Sequence, residues 1–266
     1  MNEKLDFTMA TYRRLLETWI DQGYDFRTYR SYLQDGATGK FVILRHDVDT
    51  TPEKSLEFAR IQAKAGVYGT YYFRAVPCSW NERIMREIHE LGHEVGYHYE
   101  SLTTCKGDVD KAYIDFKQNL ERMRTLVPVH TVCMHGSPRS PYDSKDIWTK
   151  YDYRQSGILG EPYLSTDFSQ IFYLTDTGRQ WDGYRVSVRD KVMAFQREWE
   201  KRGWCYHSTF EIIDALEQGI FPDRAMFTFH PSGRWADNYR VWCTNCLQQL
   251  IKNRVKRVIV KYDLWR

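Results

Sequence analysis

The chain has 266 residues, 42% of them hydrophobic, and its 38 basic and 35 acidic side chains leave a formal charge of +3. This length and apolar content are enough for one large α/β domain. The small charge predicts no nucleic-acid partner, no apolar run is long enough to span a membrane, and no export signal is recognisable, so we expect a cytoplasmic protein with reduced cysteines.

Apolar β-rich runs alternate with helical patterns after a helical N-terminal segment at 1–38, which predicts parallel strands joined by crossover helices. The predicted strands are 41–45, 70–75, 94–97, 130–134, 171–175, 225–229 and 258–262. Helices are predicted at 52–65, 81–91, 109–126 and 210–217, where capping residues and terminal glycines bound the patterns. We expect a single domain, 1–266, with a motif-bearing core at about 40–235 and a C-terminal helix and strand at 237–266.

Potential metal ligands or acid/base groups follow four of the predicted strands. They are His46, Asp47 and Asp49 after the first strand, His98 and Glu100 after the third, His135 after the fourth, and His230 after the sixth. The carboxyl ends of parallel strands lie on one side of an α/β sheet, so these side chains are expected to converge.

Asp47 and Asp49 are two residues apart, so an extended backbone places both carboxylates on one face and His46 on the other. Two carboxylates facing one cavity repel each other unless a cation lies between them or one is protonated. A surface turn would tolerate the pair without a metal, and that alternative stays open. His98, arriving beside the aspartates, is a plausible zinc ligand, whereas His93 lies in the preceding turn and is expected to be structural.

The motifs, taken together, resemble those of the polysaccharide deacetylase family, also called carbohydrate esterase family four. The similar segments are Leu44-Arg-His-Asp-Val-Asp, Gly92-His-Glu-Val-Gly-Tyr-His, His135-Gly-Ser-Pro and Phe229-His-Pro, in the family's order. The resemblance covers residues 40 to 235 and implies a distorted (β/α) barrel with about seven parallel strands. It implies that Asp47 is the catalytic base, His98 a metal ligand and His230 the general acid.

Two departures from the family pattern affect the metal ligands. Val48 separates the two aspartates, so the metal-binding carboxylate is most simply Asp49, and Leu102 stands where the family has its second histidine ligand. We expect His135 to replace that histidine, with Glu100 as the alternative. One carboxylate and two histidines suit a single divalent metal ion, with zinc as the expected identity.

Substrate-side candidates are Arg139, Asp176, Trp181 and Trp235. Arg139 could orient the base, as an arginine near the family's third motif does, or be a solvated loop residue. Asp176 could tune His230, with Trp181 or Trp235 forming a sugar platform. The favoured alternative is a turn at Asp176 and tryptophans that belong to the core.

The expected function is metal-dependent hydrolysis of an N-acetyl group on an amino sugar or a surface-polysaccharide precursor, with a carbohydrate as the partner. A hydrolase of a non-sugar linear amide and a catalytically silent carbohydrate-binding relative are the alternatives. The sequence does not identify the sugar or the oligomeric state.

Overall fold

The computed structural model describes residues 5–137, 140–181, 186–187, 190–232 and 234–262, with side chains up to residue 255. The described residues contain seven strands, and every recorded strand pair is parallel. The strands are β1 (Asp25–Arg27), β2 (Phe41–Val48), β3 (Thr70–Phe73), β4 (Glu94–Tyr99), β5 (Val132–Met134), β6 (Phe172–Thr175) and β7 (Arg224–Phe229).

Ten α-helices in the described part of the chain surround the sheet. They are α1 (Met9–Asp21), α2 (Tyr29–Asp35), α3 (Pro52–Lys64), α4 (Glu82–Glu90), α5 (Ser101–Thr104), α6 (Val109–Arg124), α7 (Pro162–Ser165), α8 (Met193–Lys201), α9 (Thr209–Glu217) and α10 (Tyr239–Tyr262). Side-chain caps fix several starts where the sequence predicts them; Asp108 accepts from the Lys111 N–H and Ser208 from the Glu211 N–H. No helix among the residues described is long and apolar enough to cross a bilayer.

The sheet follows the order β5-β4-β3-β2-β7-β6 and curls into a half-barrel, the distorted (β/α) barrel expected from the sequence. β2 lies at its centre and all eight of its residues are buried. β7 pairs along one edge of β2, while β1 and β3 pair with its first and second halves. The polar ends of β4, β5 and β7 therefore gather around the end of β2.

The predicted strand at 258–262 is wrong, because these residues continue α10, which runs from Tyr239 to Tyr262. Alternating Val and Ile suggested a strand, but residues 239–262 contain no Gly or Pro to end the helix that precedes them. The strand that completes the set of seven is β1, near the N-terminus. It is only three residues long, too short to give a periodic signal.

The two faces of β2 separate as the period of two predicts, and His46 belongs to the core. Its ring lies 4.2 Å from that of Tyr71 and 5.2 Å from that of Phe229, nearly parallel to both. Burial lowers the pKa of His46 to about 3, so the ring is neutral at pH 7. His93 is also structural, since its Nδ1 accepts from the Gly69 N–H and its Nε2 donates to the Ala59 carbonyl.

Candidate metal centre and polar network

Three potential ligand atoms meet at the carboxyl ends of β2, β4 and β5. Asp49 Oδ1 lies 3.0 Å from His135 Nδ1 and 3.5 Å from His98 Nε2, and the two ring nitrogens are 3.4 Å apart. Four ligands at the usual zinc distances, arranged as a tetrahedron, have neighbouring atoms about 3.3 Å apart. The three side chains thus have both the chemistry and the spacing of a zinc-type ligand set.

Asp49 Oδ1 gives an independent indication of a cation. The atom is buried and has no hydrogen-bond partner among the described residues, so the 3.0 Å approach of His135 is an ion-pair contact without hydrogen-bond geometry. Burial alone would raise the pKa of Asp49, but the imidazoles of His135 and His98 hold it well below its usual range. A buried, ionised oxygen without a hydrogen bond is costly unless a cation compensates it.

Backbone contacts hold the ring of His98 and the main chain of His135. His98 Nδ1 donates to the Cys133 carbonyl at 3.0 Å, which turns Nε2 toward Asp49. His98 and Cys133 are register partners in the β4–β5 pair. The His135 N–H donates to the Tyr99 carbonyl at 2.8 Å and continues that pairing by one residue. A hydrogen bond of this kind on the second ring nitrogen is typical of histidine metal ligands.

Glu100, the alternative third ligand, is engaged elsewhere. Arg74 donates to both of its carboxylate oxygens, at 2.9 and 2.7 Å from Nη2, and Glu100 Oε2 lies 3.9 Å from the far nitrogen of His135. Leu102, at the position of the family's second histidine, is buried. The geometry favours His135 over Glu100.

Asp47 lies beside the ligand set but is bound to a cation of the chain itself. Arg45, two residues earlier on the same strand face, donates from Nε to Oδ1 at 2.8 Å and from Nη2 to Oδ2 at 2.5 Å. Both side chains are buried. Two other groups of potential ligands include Asp47, one with His98 and Cys133 and one with Asp190 and His230. The guanidinium already neutralises this carboxylate, which favours Asp49 as the metal-binding aspartate.

His230 follows β7 on the other side of β2 and is held by a carboxylate. Asp176 accepts from His230 Nδ1 at 2.6 Å, from the His230 backbone N–H at 3.0 Å, and from Trp235 Nε1 at 2.8 Å. Burial would lower the pKa of His230, but Asp176 and Asp190 together raise it well above its usual value. The imidazole is therefore protonated at neutral pH, with Nε2 on the side of the ring away from Asp176.

Asp190 and Tyr163 complete the network, and the sequence analysis identified neither. Asp190 Oδ2 lies 3.4 Å from His230 Nε2, and its Oδ1 accepts from the Tyr163 hydroxyl at 2.9 Å. Tyr163 in turn accepts from Arg45 Nη2 at 3.3 Å. A continuous polar chain thus connects Asp47 to His230 through Arg45, Tyr163 and Asp190.

Neither tryptophan forms a sugar platform, and both belong to the core, the alternative that the sequence favoured. Trp181 is 1% exposed and packs against Phe7 and Phe227, while Trp235 is 0% exposed and orients Asp176. Neither ring offers a face to a ligand. Asp176 lies behind His230, accepts a hydrogen bond from its Nδ1 and raises its pKa. Arg139 lies outside the described residues, and the orienting contact on Asp47 comes from Arg45.

A parallel (β/α) half-barrel with one carboxylate and two imidazoles at its strand ends defines a candidate metal-dependent site. No model of a known family matches the chain, and neither does any curated protein. Among solved structures, a CE4 esterase from Streptococcus mutans is 13% identical with a TM-score of 0.45, and the match covers 91% of this chain and 90% of that one.

Two CE4 family pseudoenzymes give similar values. One from Bacillus anthracis is 12% identical with a TM-score of 0.41, covering 82% of this chain and 63% of that one. A mutant with restored enzymatic activity is 11% identical, also with a TM-score of 0.41, covering 82% and 65%. CE4 is the carbohydrate esterase family that the motifs resemble. Identities and scores this low leave the function to be argued from the residues of the site.

Proposed function

We propose that this chain is a metal-dependent hydrolase that removes an N-acetyl group from an amino sugar or a polysaccharide precursor. The observation that carries the proposal is the convergence of Asp49, His98 and His135 within ligand distance, with Asp47 beside them and a ligand atom of His230 within 4.8 Å of one of Asp47. Amide hydrolysis needs a base, an electrophilic centre and an acid, and these groups supply one of each.

Asp47 is the proposed base. Its Oδ2 lies 3.7 Å from His98 Nε2, so the carboxylate borders the ligand set without belonging to it. The two hydrogen bonds from Arg45 hold the carboxylate plane in one orientation. A water molecule beside the ligand set would give its proton to this carboxylate as it attacks the amide carbon.

His230 is the proposed general acid. Asp176 binds Nδ1, so Nε2 is the nitrogen that can donate a proton to the departing amine. The raised pKa of His230 keeps that proton in place at neutral pH, which an acid for a poor amine leaving group requires. Asp190, at 3.4 Å, stabilises the same cationic form.

A divalent metal held by Asp49, His98 and His135 would supply the Lewis acid, which lowers the pKa of water and polarises a carbonyl oxygen. Two imidazoles and one carboxylate favour zinc among the available divalent ions. The sugar part of the proposal comes from the motif resemblance. The base, the ligand set and the acid support hydrolysis of an amide bond.

Three variants, measured side by side for metal content and acetate release from acetamido sugars, test these roles. Asp47→Asn should keep the metal while turnover falls by about a hundredfold or more, because the base is lost but its shape is kept. His230→Ala should also keep the metal. Asp49→Asn should lose metal and activity together.

The outcomes separate the alternatives. Metal loss in Asp47→Asn together with retention in Asp49→Asn would invert the assignment of the two aspartates. Full activity in all three variants would contradict the hydrolase proposal. If the wild-type protein binds metal but releases acetate only from non-sugar amides, its substrate class is a non-sugar amide. If it releases no acetate from any amide, the protein is a catalytically silent relative.

A further inference from the structure

Helix α10 packs on the domain through polar side chains. Gln249 and Asn253, one helical turn apart, are both buried, and Gln249 Nε2 donates to Asn253 Oδ1 at 2.7 Å. Asn253 Nδ2 donates to the Gly178 carbonyl at 2.8 Å. These bonds fix the rotation of the helix about its own axis, and therefore fix which side chains point away from the domain.

The outer face of α10 carries four exposed apolar side chains, with Arg254 among them. Leu247, Leu250, Ile251 and Val255 are between 56% and 64% exposed. Their spacing of three and four residues places them on one stripe of the helix. A helix that only covers its own core has the reverse arrangement, with the apolar stripe inward. An exposed apolar stripe of this kind marks a surface that binds a partner.

The charge of α10 has a single sign. Residues 239–262 contain six basic side chains and no Asp or Glu: Arg240, Lys252, Arg254, Lys256, Arg257 and Lys261. Arg240, Lys252 and Arg254 are exposed. The partner of this face is therefore anionic as well as apolar. A second copy of the chain would bring two cationic helices together, and a nucleic acid would leave the apolar stripe without a partner.

We propose that α10 binds the surface of an anionic lipid bilayer, lying parallel to it. A helix of 24 residues presents about 36 Å of length to such a plane. Its leucine, isoleucine and valine side chains enter the boundary between headgroups and acyl chains, and Lys252, beside the stripe, and Arg254, within it, extend their long side chains to the lipid phosphates. The helix lies on the membrane and does not cross it, in agreement with the lack of a spanning helix among the described residues.

Vesicle co-sedimentation of the full chain tests the proposal. We expect binding to phosphatidylcholine mixed with phosphatidylglycerol and little binding to phosphatidylcholine alone. Lys252→Gln/Arg254→Gln should weaken binding by about 25-fold, since each cation near an anionic surface contributes about fivefold. Leu250→Ser/Ile251→Ser should abolish it while the charge stays unchanged.

The matched control is Lys111→Gln/Lys150→Gln, which removes two exposed cations elsewhere on the protein and should leave vesicle binding as in the wild type. Equal binding to both kinds of vesicle, or equal binding by all variants, would overturn the proposal. The proposal would also be overturned if the protein forms a dimer in solution that Leu250→Ser/Ile251→Ser dissociates. Binding of an acidic protein through this stripe in place of vesicles would overturn it too. Circular dichroism of each variant checks that it is folded.

Discussion

Replacing Arg45 with methionine would test how much of the site depends on the buried pair with Asp47. Methionine approximates the length and volume of the arginine stem but removes both hydrogen bonds to the carboxylate. The methionine side chain has no N–H group that would need a partner, whereas Arg45 Nη1 is buried without a hydrogen-bond partner in the described structure. The variant leaves Asp47 unpaired and also removes the hydrogen bond from Arg45 Nη2 to the Tyr163 hydroxyl.

The expected loss in the free energy of unfolding is about 3–5 kcal/mol, the usual cost of removing one partner from a buried ion pair. Two charge-assisted hydrogen bonds at about 1.5–3 kcal/mol each give a similar figure. In a domain of this size the melting temperature should fall by roughly 10 °C. Turnover should fall as well, because the carboxylate of Asp47 is no longer held in one orientation.

Urea unfolding in the presence of a chelator would measure this loss without a contribution from metal. Arg45→Met, Asp47→Asn and the double variant form a mutant cycle, and the coupling energy should be about 2–3 kcal/mol. Arg60→Met is the control, since the pair of Arg60 with Glu87 is largely exposed and should contribute less than about 1 kcal/mol. A loss below about 1 kcal/mol for Arg45→Met, or strictly additive effects, would refute the buried-pair interpretation.

His135→Ala should lose most of the bound metal while Glu100→Ala keeps it, and elemental analysis showing the reverse order would make Glu100 the ligand. Asp176→Asn should move the alkaline limb of the pH-rate profile to lower pH, because the carboxylate that raises the pKa of His230 is gone; an unmoved limb would contradict the role of this residue. The pKa of His46 is about 3 in the folded protein, below its value in the unfolded chain. The contribution of the neutral, buried ring to the free energy of unfolding is therefore fully present above about pH 6.5 and is lost as the pH falls. Urea titrations should show that wild type loses about 2 kcal/mol from this source between pH 7.5 and pH 5, a loss that His46→Phe should lack.

The parts of the site that lie at strand ends could be predicted from the sequence. Period-two alternation placed Asp47 and Asp49 on one face and His46 on the other, and the parallel topology brought His98 and His135 to the same edge. Both rules depend on recognising the strands, and six of the seven predicted strands are present in the sheet.

Residues on irregular segments could not be placed in this way. Asp190 reaches His230 from a stretch between β6 and α8 that has no helical or strand period to fix its position. Trp181 and Trp235 fold back into the core from similar stretches, which depends on tertiary packing. The same period-two rule places Arg45 on the strand face of Asp47, so it could have been predicted to orient that carboxylate. Arg139 was predicted to have this role instead.

The Arg45–Asp47 pair has a consequence for redesigning the specificity of this barrel. An acidic group and its counter-ion come from one face of the central strand, two residues apart, so the backbone of β2 brings them together. The connections after β5 and β6 add Tyr163, which accepts from Arg45, and Asp176 and Asp190, which hold His230. A rim segment that carries none of these residues could be exchanged to accept a different ligand without disturbing the Arg45–Asp47 pair, which makes such a segment the place to begin.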